Sequence, residues 1–167
     1  MSEIADSAFK GCTSLISVKM SSDLGSIGQS AFKDCEKLTS VTLPDSVTFL
    51  GSSAFENCRA LTSVSLSDNL TKIEDSTFEN CDKLSSVTLP KKLTSIGARA
   101  FYSCDGLIDV RIPKTVKKIG NDAFNYCTSL ASVYYGGRAV DFLAIDRGQG
   151  NSLLVNATFY YSSYDPD

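Results

Sequence analysis

The sequence predicts a solenoid: a curved, right-handed stack of short coils. A parallel β-sheet would run along one face, short strands and turns along the other, and a cap would close the C-terminal end. Three observations carry that prediction. Six cysteines (Cys12, Cys35, Cys58, Cys81, Cys104 and Cys127) follow one another at intervals of 23 residues. Other columns run in register with them: Phe9, Phe32, Phe55, Phe78, Phe101 and Phe124 stand three places before the cysteines, and Leu15, Leu38, Leu61, Leu84, Leu107 and Leu130 three places after. Between the columns, segments such as LTSVTLP alternate apolar and polar residues, the period-two pattern of a strand with one buried face.

The elements can be taken in chain order. Residues 1–7 match the second half of a repeat, since Ile4-Ala5-Asp6-Ser7 aligns with Ile27-Gly28-Gln29-Ser30; they read as the stump of a coil whose first half lies upstream. Repeats then start at residues 8, 31, 54, 77, 100 and 123, the sixth keeping only its first half, so the repeat array is expected over 1–135. A 23-residue period falls in the roughly 20–29-residue range of leucine-rich repeats. Within a repeat, Leu38, Val41 and Leu43 are expected to point inward, and Ser40 and Thr42 outward. Pro44, Pro90 and Pro113 close their strands where a missing amide donor is tolerated. Leu93 and Ile96 add two inward residues from LTSIG, and Gly28, Gly51, Gly97 and Gly120 mark a turn, with Glu74 the exception. Ala8, Ala31, Ala54, Ala100 and Ala123 occupy a tight position that Thr77 alone enlarges. The phenylalanine column is expected to fill the widest part of each coil as a stack of rings, above a column of small buried thiols.

Residues 136–167 are the expected cap, because the last coil of a solenoid would otherwise expose its core. AVDFLAI places Val140, Leu143 and Ile145, or Phe142, on an apolar side suited to lying across the open end. NATFYYSS reads as a terminal edge strand carrying Phe159, Tyr160 and Tyr161.

Composition narrows the function. The chain is 43% hydrophobic and 21% charged over 167 residues, which fits a single folded domain rather than a disordered chain. A net charge of -3 offers no overall basic surplus, so nucleic acid and membrane surfaces are not expected partners. No histidine is present, which excludes imidazole metal sites and Ser-His-Asp or Cys-His catalysis. No apolar run is long enough to insert in a membrane as a helix. The opening MSEIADSAF has no signal-peptide character.

The combined pattern AFxxCxxLxxVxLPxxLxxIG resembles the repeat of BspA-like leucine-rich-repeat proteins, and it covers residues 1 to about 135. The tail is similar to a segment that often closes such arrays in gut bacteria. Here that segment is the Tyr134-Tyr135-Gly136-Gly137 turn, a short helix from Val140 to Ile145, and a strand around Asn151, Leu154, Asn156, Ala157 and Thr158. One departure is the absence of the helix tryptophan: Phe142 lies nearby and the chain has no Trp. The resemblance implies a secreted or cell-surface protein of a host-associated microbe, adhesive in several relatives. The implied partner is a host matrix or cell-surface protein, or a glycan. It implies no catalytic activity, and no binding residues carry over, because such proteins bind through variable surface positions.

The cysteine column admits a disulfide framework, a metal site, a nucleophile or a reduced ladder. A line of single thiols cannot surround a tetrahedral ion, and no CxxC pair is present. Side chains of stacked coils point the same way, which makes a bridging dihedral hard to reach. The reduced ladder is favoured, with each S–H reaching a backbone carbonyl at the coil corner. Asp34, Asp82, Asp105, Glu56 and Glu79 recur at one corner and read as solvated positions rather than as a catalytic pair. No metal and no cofactor are therefore expected, and no enzyme activity. The outward strand positions are mostly Ser and Thr, with charge and an aromatic only toward the C-terminal end. Hot-spot chemistry picks out Arg111, Tyr134, Tyr102 and Asp109 as the expected contact residues. Asn69-Leu70-Thr71 and Asn156-Ala157-Thr158 match glycosylation acceptors, the latter better explained by the cap. The expected role is a monomeric adhesion or interaction module; the alternative is a structural spacer without a ligand of its own.

Overall fold

A computed structural model describes residues 2–162, leaving Met1 of the partial repeat and 163–167 of the expected cap outside the described residues. The chain winds into a parallel-strand β-solenoid of about seven turns. A full repeat contributes an AFxxC turn, a front strand and a back strand, and in the first repeat the front strand is reduced to a single bridge from Ser17 to Ser40. The front strands are β3 (Ser40–Thr42), β5 (Ser63–Ser65), β7 (Ser86–Thr88), β9 (Asp109–Ile112), β11 (Ser132–Tyr135) and β13 (Thr158–Tyr161). The back strands are β1 (Ser2–Ile4), β2 (Leu24–Ile27), β4 (Phe49–Leu50), β6 (Lys72–Ile73), β8 (Ser95–Ile96), β10 (Lys118–Ile119) and β12 (Asp146–Arg147). Partners across the front differ by one period, as in Ser132↔Asp109 and Val133↔Val110.

Alternation within the front strands sorts the side chains. Val41, Val87, Val110 and Val133 are buried while Ser40, Thr42, Ser86 and Thr88 are exposed. Phe32, Phe55, Phe78, Phe101 and Phe124 are fully buried and stack at ring-centroid spacings of 5.2–5.6 Å. The column begins one coil later than the sequence suggests, however. Phe9 stacks on Phe32 at 5.1 Å but is 38% exposed, and Cys12 is exposed as well. Both were expected in the core; among the described residues one face of Phe9 stacks on Phe32 and no ring covers the other.

Two columns per coil take left-handed backbone. One is Ser7, Ser30, Ser53, Ser76, Arg99 and Asp122; the other is Gly11, Asp34, Asn57, Asn80, Ser103 and Tyr126, just before the cysteines. Asp and Asn tolerate this region through local hydrogen bonds, whereas Tyr126 (φ 59°) is an uncommon occupant. The Asn57 amide donates to Asp34 at 2.6 Å, and that of Asn80 to Asn57 at 2.8 Å, which ties the corner together along the axis.

The glycine column behaves differently from the turn that the sequence suggests. Gly28, Gly51, Gly97 and Gly120 lie outside the left-handed region, and what they provide is contact. A Cβ at Gly51 would meet the Gln29 backbone nitrogen at 2.5 Å, and one at Gly97 that of Asp75 at 2.6 Å. Their N–H groups bond the preceding coil, Gly51 to Ile27 and Gly97 to Ile73, both at 2.8 Å. Glu74 carries the Cβ that this contact excludes. Among the described residues its N–H makes no such bond to Leu50, and the back ladder is interrupted between β4 and β6. The front ladder is interrupted one coil further on, between β5 and β7. The third repeat therefore runs diagonally, its front strand joined to the coil before it and its back strand to the coil after it. Val64 and Leu66 are only partly buried there, and an open groove of about 600 Å³ lies beside them. In the same repeat Ser67 replaces the strand-closing proline and donates its hydroxyl to the Val47 carbonyl at 2.6 Å.

The C-terminal segment extends both ladders, with β12 pairing to β10 and β13 to β11. Helix α1 (Ala139–Leu143) starts where Asp141 accepts the Arg138 N–H at 3.0 Å. It buries Phe142, while Val140 and Leu143 are exposed, so the apolar side proposed from sequence is rotated; Ile145 is buried as expected. Phe142 packs on Phe159 at 4.5 Å and edge-on to Tyr135 at 5.3 Å. Residues Ser152–Asn156 form a helix, α2, rather than strand, and the strand begins at Thr158.

Candidate functional site

The front ladder positions the outward side chains of successive coils about 4.8 Å apart, close enough for flat groups to stack. Its register aligns Thr88, Arg111, Tyr134 and Tyr160 in one row, and Ser86, Asp109, Ser132 and Thr158 in the next. In the first row the Arg111 guanidinium lies 4.6 Å from the Tyr134 ring centre, and Tyr134 stacks on Tyr160 at 4.9 Å and 15°. Asp109 accepts a hydrogen bond from Arg111 Nη1 at 2.7 Å, which holds the guanidinium over the ring. The arrangement is a cation–aromatic–aromatic stack with its rim open to solvent, on a sheet otherwise lined with hydroxyls.

Three of the residues singled out from sequence, Asp109, Arg111 and Tyr134, thus come together, and Tyr102 does not join them. It stands on the AFxxC corner, 4.2 Å from the Arg99 guanidinium and edge-on to Tyr126 at 5.1 Å. Tyr160 belongs to the front cluster, although the sequence places it only in the terminal strand. The signal for it was one-period spacing, disguised because the cap segment breaks the 23-residue count.

The thiols are chemically quiet. Cys35, Cys58, Cys81, Cys104 and Cys127 donate to the carbonyl of the phenylalanine one coil back, at 3.1–3.3 Å. Burial pushes Cys35 up to about 11 and Cys127 up to about 12, and it raises Cys58, Cys81 and Cys104 as well. All six cysteines are free. Asp105 is exposed as expected, whereas the two corner glutamates are engaged rather than simply solvated. Glu79 is buried and bonds Arg99 Nη2 at 2.5 Å, and Glu56 pairs with Lys33 at 2.8 Å. Among the described residues no group of three or more Cys, Asp or Glu side chains is placed to hold a metal ion. No described helix is long and apolar enough to cross a membrane.

Stacked coils joined by parallel ladders define a leucine-rich-repeat solenoid. The chain belongs to the family of BspA type leucine rich repeat regions, whose model matches residues 2–131 in six copies. No curated protein sequence matches it significantly. Among solved structures it is similar to a leucine rich cell surface protein from Faecalibacterium prausnitzii A2-165, with 36% identity and a TM-score of 0.77, covering 78% of this chain and 35% of that one. It is also similar to the leucine rich repeat protein TpLRR of T. pallidum, with 34% identity and a TM-score of 0.58, covering 79% and 51%. A leucine-rich repeat protein from Bacteroides ovatus ATCC 8483 shares the fold at 22% identity and a TM-score of 0.59, covering 98% and 55%. The chain therefore spans about a third to a half of the lengths of these proteins.

Proposed function

We propose that the chain is a non-catalytic interaction module of a secreted or cell-surface protein. Its front sheet adheres to a host matrix or cell-surface macromolecule. The observation that carries this reading is the Asp109–Arg111–Tyr134–Tyr160 cluster, since Arg and Tyr on a rigid sheet are the side chains that dominate binding energy at interfaces. Rigidity adds to it: the stack is held by the ladder, so little side-chain freedom is lost on contact. Support also comes from the family, whose repeats are typically non-catalytic, and from the similar Faecalibacterium prausnitzii protein, described as a cell surface protein. The test is adhesion of the purified chain to immobilised matrix proteins and to cells, with Arg111→Ala/Tyr134→Ala as the comparison. Loss of adhesion in the double variant supports the front face as the contact. Adhesion by neither protein leaves the module as a spacer.

A further inference from the structure

The charges are not spread evenly. Residues 91–120 carry seven basic and two acidic side chains, while residues 1–90 carry seven basic and twelve acidic ones. The divide is sharpest at the turn that joins each front strand to its back strand. The position after the strand-closing residue is Asp45 and Asp68 in the second and third repeats, then Lys91 and Lys114 in the fourth and fifth. Lys92, Lys117 and Lys118 extend the basic zone toward the back strand, and all five lysines are exposed.

Coil stacking holds them in one patch. The Thr115 hydroxyl donates to the Lys91 carbonyl at 2.9 Å, and the Lys117 N–H bonds the Thr94 carbonyl at 2.8 Å. Lys117 Nζ reaches the Lys114 carbonyl at 3.4 Å, and Lys92 Nζ donates to Asn69 at 2.7 Å. None of the five is in an ion pair among the described residues. Their acidic neighbours mark the borders. Asp68 lies one coil back, Asp146 is the register partner of Lys118, and Asp141 is taken up by Arg138 at 3.0 Å.

We infer that this lysine corner of the fourth and fifth repeats is a docking surface for a single linear, negatively charged polysaccharide. The groups are lysines without arginine, compact point charges on flexible stems that attract dense anionic charge without demanding a fixed geometry. Among them, the Thr94 and Thr115 hydroxyls, whose protons go to the Thr71 and Lys91 carbonyls, can accept from sugar hydroxyls, and the Ser95 hydroxyl can donate to a sulfate oxygen. The zone spans two coils, about 10 Å along the axis, between acidic borders. A nucleic-acid duplex would overlap those borders and be repelled, and the corner has no aromatic rings on which single-stranded bases could stack. An acidic peptide adding as a strand needs a free sheet edge, and this corner lies within the stack.

The experiment measures binding of the whole chain to a sulfated heparin oligosaccharide at two salt concentrations. A polyglutamate peptide, a DNA duplex and neutral dextran serve as competing probes. The heparin oligosaccharide is expected to bind, dextran not at all, and the peptide and duplex more weakly. Lys91→Ser/Lys92→Ser/Lys114→Ser/Lys117→Ser should weaken heparin binding about tenfold or more and flatten its salt dependence. A charge-matched variant of the other half, Lys10→Ser/Lys19→Ser/Lys37→Ser/Lys83→Ser, should bind as the parent does. Circular dichroism confirms that both variants fold. The corner is distinct from the front sheet, so the quadruple lysine variant should lose heparin binding while adhesion through the front face is unchanged. Absence of binding at low salt, equal binding by the quadruple variant, or tighter binding of the duplex or the peptide overturns the inference.

Discussion

The Asn151 carboxamide takes the place that a backbone peptide of a further coil would fill against Phe124. Its Oδ1 accepts the Phe124 N–H at 3.2 Å, the bond that Phe101 makes to the Ala123 carbonyl one coil earlier at 2.8 Å. Its Nδ2 donates to the Gly120 and Gly148 carbonyls, both at 2.9 Å. With the Gln149 carbonyl taking the Asp122 N–H at 2.7 Å and Asn125 Oδ1 the Tyr126 N–H at 3.0 Å, the AFxxC ladder ends with its three donors met. Asn151→Ala is expected to cost about 2–3 kcal/mol in urea unfolding, because it strands a buried donor and buried acceptors. A cost below about 0.5 kcal/mol would mean that the cap is tied by its apolar contacts alone.

Phe78→Ala, in the middle of the ring stack, should cost about 3–5 kcal/mol, while Phe9→Ala at the exposed end should cost about 1 kcal/mol or less. Denaturant unfolding of the two variants side by side checks the gradient. Equal costs would contradict the burial difference between them.

The buried thiols make the fold sensitive to alkali. Their native pKa values lie above the ordinary value of 9.0, with Cys35 at about 11 and Cys127 at about 12. The unfolded chain therefore loses these protons first. Stability should be flat below about pH 8 and fall as pH rises from 9 through 11, by about 1 kcal/mol per buried thiol at pH 10. At pH 8 a thiol reagent should modify Cys12 rapidly and the other five only after denaturation. Fast reaction of Cys58 or Cys81 in the native protein would count against this.

Glu74→Gly removes the Cβ that keeps the third repeat away from the second. Gaining a backbone hydrogen bond contributes about 0.5–1.5 kcal/mol, and the added freedom of glycine in the unfolded chain offsets about 0.5–1 kcal/mol. Overall stability should barely change, while hydrogen exchange at the residue-74 amide slows markedly. The reverse change, Gly97→Ala, places a Cβ against backbone and should cost about 1–3 kcal/mol.

The Arg111–Tyr134 contact can be measured directly. A double-mutant cycle with Arg111→Ala and Tyr134→Ala should give a coupling of about 0.5–1 kcal/mol, the range for a partly exposed cation over a ring. No coupling would mean that the two groups move independently and that the cluster is not preorganised.

Much of this was legible in the residues. Column periodicity decides which side chains point inward, so Phe32 to Phe124, Cys35 to Cys127 and the strand valines could be placed without coordinates. It does not decide how closely one coil approaches the next. Glu74 was visible as an exception, but the interruption it causes depends on a backbone contact that no hydropathy pattern encodes. The left-handed column was readable in principle, because Gly11, Asp34, Asn57 and Asn80 are residues that tolerate such backbone; Ser103 and Tyr126 obscure it. In the cap the repeat count fails, and with it the reading of Val140 and Leu143. A short helix buries one side chain there instead of a stripe, and Asn151 acts through hydrogen bonds rather than apolar packing.

The diagonal course of the third repeat also bears on mechanics. The second and third repeats stay joined along the front, and the third and fourth along the back, so no flat plane of fracture crosses both gaps. A tensile load along the axis is always carried by at least one intact ladder. A sideways load meets two offset seams that open on opposite faces. The AFxxC ladder runs unbroken between the two seams, through the Phe55 N–H to Thr77 at 2.9 Å, so bending at this coil opens one face while that corner stays tied.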